Sequence, residues 1–180
     1  MKTVFKLKAL TFFVCAFLVA SMAFGQDMGK KQPLSPRDSV SGTIKGADIK
    51  INYGAPSVRN RKIFGDLQPY GKIWRAGANM MTTFETSKDI KVEGKTLPAG
   101  KYSLFAKPGE TEWTIIFNSV TNAWGIKRGG DANDDPTKDV LVVTVKPKAL
   151  STPVERLVYK ISEKGFSLTW ENTEVFVKVK

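Results

Sequence analysis

The 180-residue sequence predicts an all-β fold. The expected architecture is an antiparallel β-sandwich of about nine or ten strands, with a closed β-barrel as the alternative. Three observations predict it. From residue 39 onward, apolar and polar residues alternate with a period of two. Gly, Pro, Asn and Asp punctuate these runs where hairpin turns belong. A helical period competes in one segment alone, residues 152–161.

The elements follow in order. A weak strand over 39–44 turns at Lys45-Gly46 into 47–53, which puts Ile49, Ile51 and Tyr53 on one face and Asp48, Lys50 and Asn52 on the other. Residues 54–72 are rich in Gly, Pro and Arg and show no sustained period. A loop of that length in a compact domain is more often functional than idle. Residues 81–87 read as a strand, and 90–92 as another that turns at Glu93-Gly94. After the Pro98-Ala99-Gly100 turn, residues 101–106 alternate with Tyr102, Leu104 and Ala106 inward. They form a hairpin with 113–118, where Trp113, Ile115 and Phe117 face in.

Residues 122–139 form a polar loop, rich in Gly and Asp, that carries Trp124. Residues 140–145 are apolar on both faces and are expected to be a central strand covered on both sides. Residues 152–161 are contested. Thr152-Pro153-Val154-Glu155 fits a helix start with a capping box, and Val154, Leu157, Val158 and Ile161 keep helical spacing. Leu157, Tyr159 and Ile161 also alternate, and the β-branched and aromatic content favours a strand. The strand reading is adopted. The chain is expected to close with a hairpin of 166–170 and 173–179 around a turn at Glu171-Asn172.

Residues 1–25 read as a secretory signal peptide. Lys2, Lys6 and Lys8 precede an apolar run over 9–20, and small residues follow, with cleavage after Ala23 or after Gly25. Residues 26–38 are expected to be a flexible lead, and 39–180 a single sandwich domain. The expected location is periplasmic or secreted, with no stable membrane span once the signal is cut. The sole cysteine, Cys15, lies in the signal, and there is no histidine. A mature chain so composed has no disulfide, thiolate nucleophile or imidazole base, and no cysteine- or histidine-bound metal. No cofactor is expected. Net charge is +11, and the three signal lysines leave +8. The one basic cluster, Arg59-Asn60-Arg61-Lys62, has no interleaved aromatic, so nucleic acid is not an expected partner.

Several motifs occur together along residues 34–180. They include Ser35-Pro36, Arg61-Lys62-Ile63-Phe64-Gly65, and the run PYGKIWRAGAN over 69–79. LPAGKYSLF over 97–105 and EWTIIFN over 112–118 follow, then Trp124-Gly125, Asp135-Pro136 and Asp139-Val140. In this set the chain resembles the domain of unknown function 2911 family of secreted bacterial proteins. The resemblance implies a fold and a compartment but no established reaction. The chain departs from the family pattern at Met80 and Met81 and in the basic, glycine-rich loop over 126–130.

Residues 70–84 (YGKIWRAGANMMTTF) are the stretch around which the chain is organised. Arg75 offers a planar five-donor fork, Trp74 a stacking face, and Asn79 a donor and an acceptor. Trp124 stands out as an aromatic in a polar loop. Trp74, Arg75, Asn79 and Trp124 are the candidate binding residues, expected around a polar pocket at one end of the sandwich. The competing reading has Arg75 paired with an internal Asp, Trp74 in the core and Asn79 in a left-handed turn.

The oxygen-bearing loop residues Asp131, Asn133, Asp135 and Asp139 imitate a calcium loop, but Pro136 and Val142 occupy positions that need Gly and Glu. No metal residues are assigned, although a looser calcium site stays open. Paired carboxylates are the only acid–base option left, with Asp66, Glu85, Glu110, Glu112, Asp135, Asp139 and Glu171 as candidates; their spacing pairs none of them, so no catalytic residue is assigned. The expectation is a noncatalytic, exported protein that binds a polar small molecule or a glycan in the cell envelope. The alternatives are a carboxylate-dependent hydrolase and a structural partner-binding domain.

Overall fold

A computed structural model describes residues 33–180, and residues 34–180 form one compact unit. The expected signal peptide and residues 26–32 of the lead lie outside the described residues. Ten strands follow in order: β1 (Arg37–Ile44), β2 (Ala47–Gly54), β3 (Thr82–Thr86), β4 (Ile90–Val92), β5 (Lys95–Leu97), β6 (Gly100–Lys107), β7 (Trp113–Asn118), β8 (Asp139–Val145), β9 (Pro147–Ser162) and β10 (Gly165–Lys178). A single 3-10 turn, Pro136–Lys138, precedes β8.

Six strands make one antiparallel sheet in the order β1-β2-β3-β6-β7-β8. The opposing layer is built from the β9–β10 hairpin and the β4–β5 ribbon. A Val92–Val179 bridge joins these two, with Lys91 and Lys180 exchanging backbone hydrogen bonds. The six-stranded sheet is open, with β1 and β8 as its edges, so the sandwich is realised and the barrel is not.

The alternation explains the layers. Ile49, Ile51, Phe84, Leu104, Phe117 and Val143 point inward from the large sheet, and Leu157, Tyr159, Phe166, Leu168, Trp170 and Val177 meet them from the opposing layer. Each such side chain contributes roughly 1.5–3 kcal/mol by leaving water. The hairpins close as their turn residues dictate. Lys45-Gly46 and Glu93-Gly94 both take positive φ at two successive positions, matching the right-handed twist of the strands they join.

Two expectations are corrected. Residues 140–145 are not a doubly covered central strand. β8 is an edge strand, and Val140 and Val142 are exposed on its outer face. An apolar run satisfies one buried face and leaves the other to solvent here. Likewise, Glu171-Asn172 is not a hairpin turn. β10 runs continuously from Gly165 to Lys178, and Glu171, at φ 52°, sits in an irregularity of the β9–β10 register. A bulge uses the same left-handed residue that a turn would, without reversing the chain. The contested segment lies within β9, as a strand.

Candidate functional site

The long segment between β2 and β3 is fixed along its whole length. Its start pairs with the free edge of β9, through Val58 N–H to Glu155 O at 2.8 Å and Leu157 N–H to Pro56 O at 2.9 Å. The Glu171 carboxylate accepts from Ile63 N–H at 3.0 Å. Gly71 N–H donates to Pro108 O at 2.8 Å, and Trp74 exchanges two backbone hydrogen bonds with Ala106, at 2.7 and 2.9 Å. Trp74 therefore continues the β3 position along β6, and extended backbone sends successive side chains to opposite faces.

Trp74 goes inward. It is 5% exposed and stacks on Trp170, with centroids 5.7 Å apart. Phe64 stands edge-on to Trp74, Trp113 and Trp170. The Trp74 indole N–H donates to Gly77 O at 3.0 Å. The Ala76 carbonyl accepts from both Tyr159 Oη, at 2.7 Å, and Thr82 Oγ1, at 3.0 Å. These bonds hold a tight loop in which Ala76 and Asn79 take φ of 49° and 65°. Close backbone approach also accounts for Gly54. A Cβ there would lie 2.1 Å from Ala78 O, and Gly54 O accepts from Ala78 N–H at 3.1 Å.

Ile73 and Arg75 go outward, and the polar loop between β7 and β8 folds back to meet them. Met80 and Trp124 form an antiparallel bridge, Met81 N–H donates to Ala123 O at 3.1 Å, and Gly125 N–H donates to Asn79 O at 2.9 Å. Beneath the loop lies a second apolar cluster of Met81, Phe105, Ile116 and Ala132, flanked by Ile73 and Ala123. The site thus sits over the outer face of the six-stranded sheet, above β6 and β7, and not at an end of the sandwich.

Arg75 is half-buried there. Its stem lies against Gly125, where a Cβ would come within 2.2 Å of Arg75 Cδ. Among the described residues, three buried side-chain polar atoms have no hydrogen-bond partner: Arg75 Nε, Ser103 Oγ and Trp170 Nε1. Arg75 Nε is the one that carries charge. Burial holds the guanidinium pKa below its ordinary value. The sole ion pair within 4.0 Å among the described residues is Lys127–Asp134. Among the described residues, Arg75 therefore has no Asp partner.

Instead, Arg75 lines a cavity of about 420 Å³. Its other walls include Lys72, Gln68, Asp131, Ile73 and Ile126. Trp74 contributes to the same wall, but its ring belongs to the core. Asn79 is exposed, and its amide donates to Ser35 O at 3.1 Å. Trp124 is 52% exposed, and its carbonyl accepts from Asn133 Nδ2 at 2.9 Å. Neither Asn79 nor Trp124 lines the cavity; the Met80–Trp124 bridge and the Gly125 N–H to Asn79 O bond hold their backbones side by side.

The comparison with known families follows this geometry. Residues 35–179 match the family model described as a protein of unknown function, DUF2911. The chain belongs to the DUF2911 family. No curated protein and no solved structure matches it. The family match covers both sandwich layers, the fixed Trp-Arg loop and the folded-back loop, so all parts of the cavity lie within the DUF2911 region.

The other constellations of this DUF2911 chain resolve locally. Asp135 accepts from Thr137 N–H at 3.0 Å and Thr137 Oγ1 at 2.7 Å, which holds its carboxyl below the usual range. Asp139 accepts from Asn118 Nδ2 at 2.7 Å, while burial pushes its pKa up. Among the described residues, no three His, Cys, Asp or Glu side chains are grouped to hold a metal. Also among them, no helix is long and apolar enough to cross a membrane. Sequence reasoning missed Lys72, Gln68 and Ile126 as cavity walls. Lys72 and Gln68 were legible only as members of the aperiodic loop over 54–72, because their convergence depends on the loop after β7 folding back.

Proposed function

We propose that this protein is an exported, noncatalytic binding domain of the periplasm or cell exterior, which takes up a polar small molecule in the cavity at Arg75. The observation that carries the reading is the Arg75 guanidinium. It is half-buried, and among the described residues it has no ion-pair partner and its Nε–H has no acceptor, yet Arg75 borders a cavity of about 420 Å³. A buried polar group left unpaired costs roughly 1–3 kcal/mol, more when charged. A fold retaining that cost is accounted for if a ligand supplies the acceptor. The volume falls in the range of small-molecule sites, roughly 300–1,000 Å³. A glycan is the second reading, favoured by the exposed indole of Trp124 in the loop that folds back over the sheet.

The test is a thermal-shift screen of the chain from residue 26 against sugars, nucleosides and small polar metabolites, on wild type and Arg75→Met. Methionine keeps the stem packing on Gly125 while removing the charge. A native-state ligand must raise the melting temperature. The expected result is a hit that shifts wild type and leaves Arg75→Met unshifted. Equal shifts in both proteins for every hit would place binding elsewhere. A wild-type hit lost in Trp124→Ala but kept in Arg75→Met would move the site to Trp124.

A further inference from the structure

We infer that the cavity selects a small organic monoanion, with a carboxylate against Arg75 and an apolar body against the loop that folds back over the sheet. The inference rests on the binding reading above and narrows it to one chemistry. The lining carries Arg75 and Lys72 against Asp131, a net formal charge of +1. One negative charge neutralises that wall. A phosphate monoester, at close to two charges, leaves an excess facing Asp131. Arg75 presents a planar fork that matches the two oxygens of a carboxylate, and among the described residues its Nε–H has no acceptor.

Much of the remaining lining is apolar. Leu67, Pro69, Ile73, Ile126 and Ala132 border the same space, and Ile73 and Ala132 continue into the cluster with Phe105 and Ile116. Such a surface gains from a hydrocarbon body and gives nothing to a fully hydroxylated sugar. Gln68 and Asp131 remain to hydrogen-bond a substituent, and Asp131 favours one that donates, such as a hydroxyl or an amine. Gly125 fixes the position of the fork, because any side chain there would displace the Arg75 stem.

The experiment uses matched probes: hexanoate and benzoate, hexanamide and benzamide as their neutral isosteres, phenyl phosphate, and acetate as a carboxylate without the apolar body. Binding to the chain from residue 26 is measured by isothermal titration at low salt. The expected result is that hexanoate or benzoate binds at least tenfold more tightly than its amide, phenyl phosphate and acetate. Arg75→Met and Gly125→Val should lose that preference, and Arg75→Lys should regain only part of it. A thermal melt of each variant confirms that it is folded. If amide and acid bind equally and both depend on Arg75, the cavity reading stands and the monoanion inference fails. If phenyl phosphate binds more tightly than the carboxylates, the inference also fails. If no probe of this set or of the wider screen shows an Arg75-dependent signal, both readings fall together.

Discussion

At the scale of single residues, Trp74 and Arg75 show how adjacent positions on one extended segment serve opposite ends. Trp74 fills the aromatic cluster with Trp170 and Phe64, and Arg75 faces the cavity. Sequence made the pair conspicuous but could not assign its faces. That assignment depends on the Trp74–Ala106 bridge, a contact between residues 32 positions apart. The two side chains should respond oppositely to replacement. Trp74→Ala opens a cavity between the rings of Phe64 and Trp170 and should cost about 3–5 kcal/mol. Arg75→Met removes a buried unsatisfied donor and should leave stability unchanged or raise it by about 1 kcal/mol. Urea denaturation of both variants checks this. A large destabilisation by Arg75→Met would assign the guanidinium to holding the fold. Tyr159→Phe removes one of the two donors to Ala76 O, and about 1 kcal/mol should go with it in the same assay.

At the scale of elements, strands and two-residue turns were readable because their signals are local. Tyr102, Leu104 and Ala106 face in as their alternation demands, and Lys45-Gly46 reverses the chain between β1 and β2. What failed was information held by neighbours. Val140 and Val142 read as doubly buried, yet both are exposed on the outer face of β8. Glu171-Asn172 read as a turn, yet the partner strand β9 continues past it and converts it to a bulge. That bulge has a purpose visible only in three dimensions. It delivers the Glu171 carboxylate to Ile63 N–H, 108 residues away in sequence, and so pins the loop that carries the site. Glu171→Ala should cost about 1–3 kcal/mol and orphan that amide. Hydrogen exchange should quicken first at Ile63 and its neighbours, while β6 and β7 stay protected. Uniform quickening across the sheet would mean that Glu171 acts on the whole fold instead.

At the scale of the molecule, the two layers are bound by apolar burial together with two tyrosines whose hydroxyls are withdrawn from water. Tyr53 and Tyr159 pack with ring centroids 4.7 Å apart. Tyr53 Oη donates to Asp38 at 3.1 Å and accepts from Tyr159 N–H at 3.3 Å, while Tyr159 Oη donates to Ala76 O. Burial is the main cause that pushes the Tyr53 pKa up to about 12, and burial lifts Tyr159 well above its ordinary value. The sign of the linkage follows. In the unfolded chain both phenols ionise near pH 10, so above that pH the unfolded state binds fewer protons than the native state. Stability is therefore undiminished by these groups below pH 10 and falls as pH rises from 10 toward 12. A shift of about two units at Tyr53 corresponds to a loss on the order of 3 kcal/mol across that window. Urea midpoints from pH 8 to 11.5 should decline steeply above 10. Tyr159→Phe should start lower and decline less steeply, because phenylalanine has no proton to lose. Parallel slopes for wild type and Tyr159→Phe would show that the alkaline loss arises elsewhere than at Tyr159.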